Sequence, residues 1–349
     1  MADNGVPAHD EPPTSPELRR ILARVPASAP PPTSVEEALL RGQMRLSEVD
    51  DPDALSGPWT RAGVLDLLPE PRSGRRDGTV ETNLVRKGMF VAGRAGRRRS
   101  GGEQMVLRVL ATRDRLGEIR RIDEGPSLTE VEFQVMMVIC TAWRSLGNPF
   151  AATVPITLSM ICKELGLNYS GRSFARVRQA LSALTQATFA GEVWDVRTKE
   201  MTHIREFGLI QEWEAGRPNE RGRLGDVGSV MLRDWLRRQL AGEHQTYYSR
   251  ELMRQLRRPV SKLLLPYLES ERFDGPPTPH GTRVKAWPVN DELFASVGIT
   301  DRQQRQARRT LALAAQEIVE LGEGKRWVRV EVEQADRRSW RLVAERAGG

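Results

Sequence analysis

The sequence is poor in the residue types on which several classes of protein depend. Its 349 residues include two cysteines, Cys140 and Cys162, and four histidines. Both cysteines lie in apolar stretches, so we expect them to be small core residues in a protein of a reducing compartment, without a disulfide framework. No apolar run reaches the length of a membrane span and no signal peptide opens the sequence, which predicts a cytoplasmic protein.

Catalytic motifs are also scarce. The histidines are scattered, without a paired-histidine metal motif: His9, His203, His244 and His280. The adjacent Tyr247 and Tyr248 have no histidine cluster beside them, as a rolling-circle nickase would require, so we expect them to pack or cap. Gly324-Lys325-Arg326 lacks the upstream glycine and the Ser or Thr of a phosphate-binding loop. We therefore expect that the protein is not an enzyme and that it binds neither a metal ion nor a cofactor.

Positive charge is what the sequence has in excess. Lys and Arg number 53 against 46 Asp and Glu, which gives a net charge of +7. A basic chain suits a polyanionic partner such as nucleic acid. The alternative is that a GC-rich genome encodes arginine throughout the chain. The positions of the arginines therefore decide between the two explanations.

Composition divides the chain unevenly. Twelve of the 22 prolines lie in the first 78 residues, and such a stretch propagates neither helix nor sheet well. We predict a disordered Pro-rich arm over 1–78, a first domain over 79–215, a linker over 216–228 and a second domain over 229–349. Strands are expected at 82–92 and 104–112, where the first domain begins.

Both predicted domains show the same succession of patterns. In the first, a capping box formed by Ser127 and Glu130 begins an amphipathic helix. Helices and then two hairpin strands follow, at 156–165, 174–184, 191–198 and 201–211.

In the second domain, Ser229 caps a helix that extends to Leu240. Further helices and a second hairpin follow, at 249–257, 260–268, 289–297, 301–321, 327–332 and 339–343. A helix-turn-helix followed by a hairpin is the winged-helix pattern. The predicted fold class is α+β, mainly α, with two tandem winged-helix domains and a disordered N-terminal arm.

The helix that begins near Asp301 carries the clearest sign of DNA binding. Thr300 is expected to cap it, and almost no acidic residue occurs between Asp301 and Glu317. Recognition helices present their first turns to base edges, where Arg bonds guanine and Gln bonds adenine. A solvated helix face is the alternative. The candidate DNA-binding residues here are Thr300, Arg302, Gln303, Gln304, Arg305, Arg308 and Arg309.

Two other segments add candidates. Lys325 and Arg326 precede the second hairpin, and Arg337-Arg338 lie at its expected tip, where a phosphate or minor-groove contact is common. The recognition helix of the first domain and the turn before it offer Ser170, Arg172, Ser173, Arg176 and Gln179. For this first helix, DNA contact and contact within a homodimer remain equal alternatives.

Several runs resemble the TrfA-like, RepA-type plasmid replication initiators. Residues 83–90 (NLVRKGMF) are similar to the opening motif of that family, and 125–130 (GPSLTE) to the start of its first long helix. Leu165-Gly166-Leu167 with 170–173 (SGRS) resembles its turn before the recognition helix. The segment from Pro259 to Tyr267 is similar to the helix that precedes its second winged helix.

This resemblance implies a protein that binds repeated origin sites (iterons) in double-stranded DNA and promotes origin opening. It also implies recruitment of the host initiator and the replicative helicase, and a homodimer through the first winged-helix domain. A winged-helix transcriptional repressor without origin function is the alternative reading.

Overall fold

The fold is taken from a computed structural model. It describes residues 64, 67–71, 75–92, 119–123, 125, 127–147, 151–214, 227–271, 273, 277–301, 303–322 and 326–347. The chain divides into two units, Met1–Gly57 and Pro58–Gly349, and every described residue lies in the second. Almost all of the predicted arm, the predicted strand at 104–112 and most of the predicted linker lie outside the described residues.

Helices and short strands alternate in the first part of the described chain. In order they are β1 (Gly78–Glu81), α1 (Thr82–Arg86), β2 (Ile119–Arg121), α2 (Glu130–Ser145), β3 (Thr153–Thr157), α3 (Leu158–Glu164), α4 (Gly171–Gln186), β4 (Thr188–Asp195), β5 (Glu200–Gly208), β6 (Ile210–Glu214) and β7 (Val227–Leu232).

The remaining elements are α5 (Asp234–Ala241), β8 (Gln245–Tyr248), α6 (Arg250–Gln255), α7 (Pro259–Ser270), β9 (Arg283–Pro288), α8 (Asp291–Ser296), α9 (Gln304–Leu321), β10 (Trp327–Gln334) and β11 (Trp340–Arg346). The described part is therefore a mixed α/β fold with several small sheets.

The long helix α2 forms where the sequence predicts it, but its capping residues are two positions further on. The Thr129 hydroxyl accepts from the amide of Val131, and the Glu132 carboxylate accepts from the amide of Thr129 at 2.6 Å. The predicted box of Ser127 and Glu130 is wrong, because the chain at Thr129 is still extended. Almost all of the helix is buried, and Val135, Ile139 and Ala142 are fully inaccessible.

Two predicted elements change type at their start. Residues 82–92 read as a strand, but 82–86 form α1 because the Glu81 carboxylate accepts from the amide of Leu84 at 2.9 Å and caps a helix there. The predicted helix over 156–165 begins as a strand. Thr157 ends β3 and then caps α3, accepting from the amide of Met160 at 2.9 Å.

The helix predicted from Ser229 to Leu240 is also partly wrong. Residues 227–232 form β7, the central strand of the sheet β3-β7-β6, and α5 begins at Asp234. Ser229 lies opposite Pro155 of β3 and so has no capping role. The predicted domain boundaries stay predictions; β7, beside the predicted linker, pairs with strands of the first half.

The two predicted hairpins are present. β4 pairs antiparallel with β5, and β10 with β11. The sheet around the second hairpin has the order β10-β11-β9, so β9 is a strand that the sequence reading missed. Its alternation is weak because most of its residues are polar or exposed (RVKAWP).

Helix α7 connects the two halves. It contacts α1 and α2 of the first half and β8 and α9 of the second. One hydrophobic core, with members from Val64 to Ala344, extends through these contacts. Cys140 and Cys162 are buried free thiols within it, as predicted, and burial raises the pKa of Cys140 to about 12. Among the helices of the described chain, none is both long and apolar enough to cross a bilayer.

Candidate nucleic-acid interface

Helices α4 and α9 are each introduced by the same local arrangement. Each follows a short helix, α3 or α8, and a turn with a glycine in the left-handed region, Gly166 (φ +66°) or Gly298 (φ +71°). At Gly298 a Cβ would lie 2.7 Å from the carbonyl oxygen of Phe90, so a larger residue has no room. These turns set the angle at which α4 and α9 leave the core.

Helix α4 buries one face and exposes arginine on the other. Ser170 caps it, accepting from the amide of Ser173 at 3.2 Å, and Val177, Ala180, Leu181 and Leu184 are buried. Arg172, Arg176 and Gln179 are exposed and Ser173 is half-buried. Tyr169, in the turn before the helix, is 63% exposed. No acidic residue occurs in α4, so its solvent face carries positive charge.

Helix α9 repeats this division. Ala307, Leu311, Ala314, Ala315 and Ile318 are buried, and Gln303, Gln304, Arg305 and Arg309 are exposed. The guanidinium carbon of Arg308 lies 5.0 Å from the centre of the Trp340 ring on β11, which attaches the helix to the hairpin. Thr300 is exposed and is not the cap, because the helix begins at Gln304 and its N-cap, Gln303, makes no side-chain capping bond. Arg302 lies outside the described residues.

The tip of the second hairpin is ordered by Asp336. Its Oδ1 accepts from the amides of Arg338 and Ser339, both at 2.8 Å, and its Oδ2 accepts from the Ser339 hydroxyl at 2.5 Å. The hydroxyl bond and the two amide bonds lower the pKa of Asp336. Arg337 and Arg338 are exposed there. The hairpin thus presents two cations at a turn of fixed shape.

Not every predicted arginine is available. The Arg326 guanidinium forms a bidentate ion pair with Glu269 through Nε and Nη2, so it is already engaged within the protein. Lys325 lies outside the described residues. Arg329 and Arg341 on the same hairpin ion-pair with Glu333.

The start of α7 adds basic residues that the sequence reading missed. Arg257 and Arg258 are exposed, and their amides donate to the Glu317 carboxylate of α9 at 3.0 and 3.2 Å. Lys262 donates to Gln134 Oε1 at 3.0 Å. Burial lowers the pKa of Lys262; Arg176 lowers it too, while Glu130 and Glu317 raise it. Lys262 therefore lies within electrostatic reach of both α4 and α9. The signal in the sequence was the Arg257-Arg258 doublet before Pro259.

The tyrosine pair packs as predicted. Tyr248 is buried with its hydroxyl 3.4 Å from that of Thr141, and burial raises its pKa. The Arg144 guanidinium carbon lies 4.3 Å from the centre of the Tyr247 ring. Within the described ranges, no group of three or more His, Cys, Asp or Glu side chains could hold a metal ion.

Comparison with known proteins gives one family. Residues 130–267 match the family model described as RPA, replication initiator protein A. None of the curated proteins matches the chain. Among solved structures, crystal structures of domains 2 and 3 of RctB are similar. One, of the selenomethionine derivative, has a TM-score of 0.41 and 12% identity and covers 67% of this chain and 87% of that one. The other has a TM-score of 0.42 and 10% identity and covers 66% and 86%.

The family match begins at the first residue of α2 and ends within α7, so it includes α4 and stops before α9. Over this segment the chain is similar to replication initiator proteins, and the resemblance to such initiators predicted from the sequence is confirmed.

Proposed function

We propose that the chain is a replication initiator that binds origin DNA with the exposed faces of α4 and α9. The observation that carries the proposal is the segregation of charge on these helices. Each buries an apolar stripe and exposes arginines in its first turns, without an acidic residue among them. Arg and Gln on the first turns of a helix are the side chains that read base edges in the major groove.

The order of elements supports a winged-helix assignment for the second half. The succession α7, β9, α8, α9, β10, β11, with β9 paired to β11, places a three-stranded sheet and its hairpin beside the arginine-bearing helix. The exposed Arg337 and Arg338 then lie at the wing tip, where phosphate contacts are expected.

The first half has the corresponding succession α2, β3, α3, α4, β4, β5, with β7 inserted between β3 and β6. We assign it as a variant of the same fold. Its arginine face leaves both DNA contact and a homodimer open as roles.

Binding energy, rather than a catalytic step, is the proposed working principle. Deforming DNA costs free energy. A protein that binds several adjacent sites can offset this cost with the additional contacts that the deformed DNA permits. Opening of the origin, recruitment of the host initiator and helicase, and a cytoplasmic location belong to this proposal. The chain itself needs neither metal nor cofactor for it.

The test is a footprint of the purified full chain on the DNA that flanks its gene. Protection of several evenly spaced direct repeats, with distorted AT-rich DNA beside them, is the expected result. One protected inverted repeat over a promoter would favour a repressor instead, and no protection anywhere would overturn DNA recognition.

Two substitutions then test the contributions of the two helices to DNA binding separately. Arg176→Ala on α4 and Arg309→Ala on α9 remove exposed guanidinium groups, and Arg341→Ala removes one that ion-pairs with Glu333 on the hairpin. We expect each helix variant to weaken binding to the protected repeat by roughly 1–3 kcal/mol if the side chain reads a base. The hairpin control should bind as the wild type does. An unchanged Arg176→Ala variant would assign α4 to dimerisation.

A further inference from the structure

Four arginines lie close together at the end of the second hairpin sheet that is remote from its tip, and two of them contact a single buried carboxylate. Arg283 is the first residue of β9, Arg346 is the last of β11, and Arg326 directly precedes β10. In the sheet register Arg346 lies opposite both Arg283 and Trp327. The strand ends therefore bring these arginines side by side, and Arg76 approaches from the segment before β1.

The carboxylate at the centre is Glu269 of α7. Its side chain is 1% exposed and accepts from Arg326, with Nη2 at 2.5 Å from Oε2, and Arg76 Nη1 lies 3.7 Å from the same oxygen. Among the described residues, neither Arg283 nor Arg346 forms an ion pair. Four positive charges thus face one negative charge, and the excess is not neutralised by the described part of the chain.

Arg346 is the most informative member of this group. Its guanidinium carbon lies 4.5 Å from the centre of the Phe273 ring, and the group makes no hydrogen bond within the described residues. Burial lowers its pKa, as does the charge of Arg326; Glu269 raises it, and Arg76 and Arg283 lower it by smaller amounts. A half-buried cation that forms no ion pair within the described part of the chain is costly, and a bound anion would lower that cost.

The geometry also indicates which anion. The Arg346 guanidinium lies over the Phe273 ring, and its N–H groups, which can bind two oxygens of one group, make no hydrogen bond within the described residues. Arg283 donates one Nη1 bond to the carbonyl of Phe273 at 3.0 Å and is otherwise exposed. Several guanidinium groups converging from different strands suit a tetrahedral oxyanion with a multiple charge.

We propose that Arg76, Arg283 and Arg346 form a phosphate-binding site beside the ion pair of Arg326 with Glu269, and we name it the basal arginine site. It is separate from the interface formed by α4, α9 and the wing tip. Strand β10 has eight residues, so the basal site lies about 25 Å from the tip at roughly 3.3 Å per residue. A straight duplex lying on the tip does not reach that far.

Two sources could supply the phosphate. A free polyphosphate, such as that of a nucleotide, reaches the site directly. The DNA backbone reaches it when the duplex bends around the second hairpin, and this source rests on the proposed function. The first source does not, so failure of DNA binding and failure of this site are distinguishable.

The experiment titrates the full chain with inorganic pyrophosphate by calorimetry. The variant is Arg346→Gln, and the matched control is Arg341→Gln, the same substitution on the same strand at an arginine that pairs with Glu333. Wild type and control should bind equally, and the variant about tenfold more weakly, because it loses a charge-assisted bond. Arg346→Lys should restore part of the affinity. If Arg346→Gln lowers the melting temperature, Arg283→Gln takes its place, since Arg283 is exposed.

A second arm compares the footprinted duplex with the same duplex extended at both ends. One outcome is that Arg346→Gln leaves pyrophosphate binding unchanged and weakens binding of the extended duplex alone. If the slope of duplex binding against salt concentration also falls by an amount that corresponds to about one phosphate contact, the DNA backbone is the source. If Arg346→Gln matches the Arg341→Gln control in both arms, or if neither probe binds the wild type, the basal arginine site does not exist.

Discussion

Removal of the negative charge of Glu164 should test how the first arginine-bearing helix is held. Glu164 ends α3, its side chain is 6% exposed, and it receives three bonds from two arginines. Oε1 accepts from Arg250 Nη2 at 2.6 Å and Arg254 Nη2 at 2.5 Å, and Oε2 accepts from Arg250 Nε at 3.0 Å. The Arg250 side chain is 4% exposed, so this ion pair is shielded from water.

Glu164→Gln keeps the shape and removes the charge. One oxygen becomes an amide group that donates toward a guanidinium, which also donates, so buried Arg250 keeps, among the described residues, only its 3.3 Å ion pair with the partly exposed Asp77. Breaking a buried pair from one side costs about 3–5 kcal/mol. That loss is a large fraction of the total stability of a domain, which is typically about 5–15 kcal/mol.

The control is Glu70→Gln. Glu70 also pairs with Arg254, at 3.0 Å, and with Lys163, but its side chain is 65% exposed. Exposed pairs contribute about 0–1 kcal/mol. Free energies of unfolding from urea titrations, followed by circular dichroism, should therefore separate the two variants by at least about 2 kcal/mol.

A double variant distinguishes charge from packing. Glu164→Leu with Arg250→Met replaces the pair with apolar side chains, and such replacements are often neutral, so much of the lost stability should return. The reasoning is refuted if Glu164→Gln unfolds at the same urea concentration as Glu70→Gln. If the double variant is no more stable than Glu164→Gln, packing and not charge holds α3 in place.

The remaining predictions concern the proposed interface and one buried lysine. Arg305→Ala should reduce affinity for the protected repeat by roughly 1–3 kcal/mol, in a gel-shift titration that also includes random DNA. An equal loss on both DNAs would mark a phosphate contact rather than base reading. Replacing Arg337 and Arg338 with Ala should lower the slope of binding affinity against salt concentration by an amount that corresponds to about two phosphate contacts. An unchanged slope would show that the tip does not contact DNA. Burial lowers the pKa of Lys87 to about 8, so the unfolded chain binds the proton more strongly than the folded chain between about pH 8 and 10. The stability of the wild type relative to Lys87→Met should therefore rise with pH in that window, by up to about 1.4 kcal/mol per pH unit; a flat difference would contradict this.

Helical periodicity was the most dependable signal in the sequence. Helices α2, α4, α7 and α9 are each twelve residues or longer and have buried residues at helical spacing. The predictions for these segments are correct to within a few residues. An apolar stripe of this length is not compatible with a strand, so the pattern alone decides the element.

Short elements were harder because their type depends on contacts distant in the sequence. Residues 82–86 have strand-forming character, but the Glu81 carboxylate caps a helix, and Glu81 itself lies close to His244, with 2.8 Å between Oε1 and Nδ1. Strand β7 forms because β3 and β6 flank it. Neither β3 nor β6 lies within the short stretch of sequence from which the type of β7 is predicted.

The positive charge of the candidate interface could be predicted from the sequence. Which of its arginines already pair within the protein could not. The arginines of α4 and α9 could be identified because acids are missing around them. That Arg326 is engaged by Glu269 could not, because the two residues are 57 positions apart. The basal arginine site could not be predicted for the same reason, because its members come from three segments that are distant in the sequence.

Two carboxylates, Glu164 and Glu317, make contacts where α4 and α9 are attached to the fold. Glu164 attaches α3, and with it the turn into α4, to α6; Glu317 of α9 accepts from the amides that begin α7. Helix α7 in turn contacts α2, against which α4 packs. Under the proposed function, a fixed separation between α4 and α9 fixes the separation of the two DNA segments that they contact. Changing the spacing within one binding site by a single base pair rotates one segment relative to the other, since B-DNA has about 10–10.5 base pairs per turn. Loss of affinity on such DNA, with its partial recovery in Glu164→Gln, would show that the ion pairs of Glu164 set the spacing.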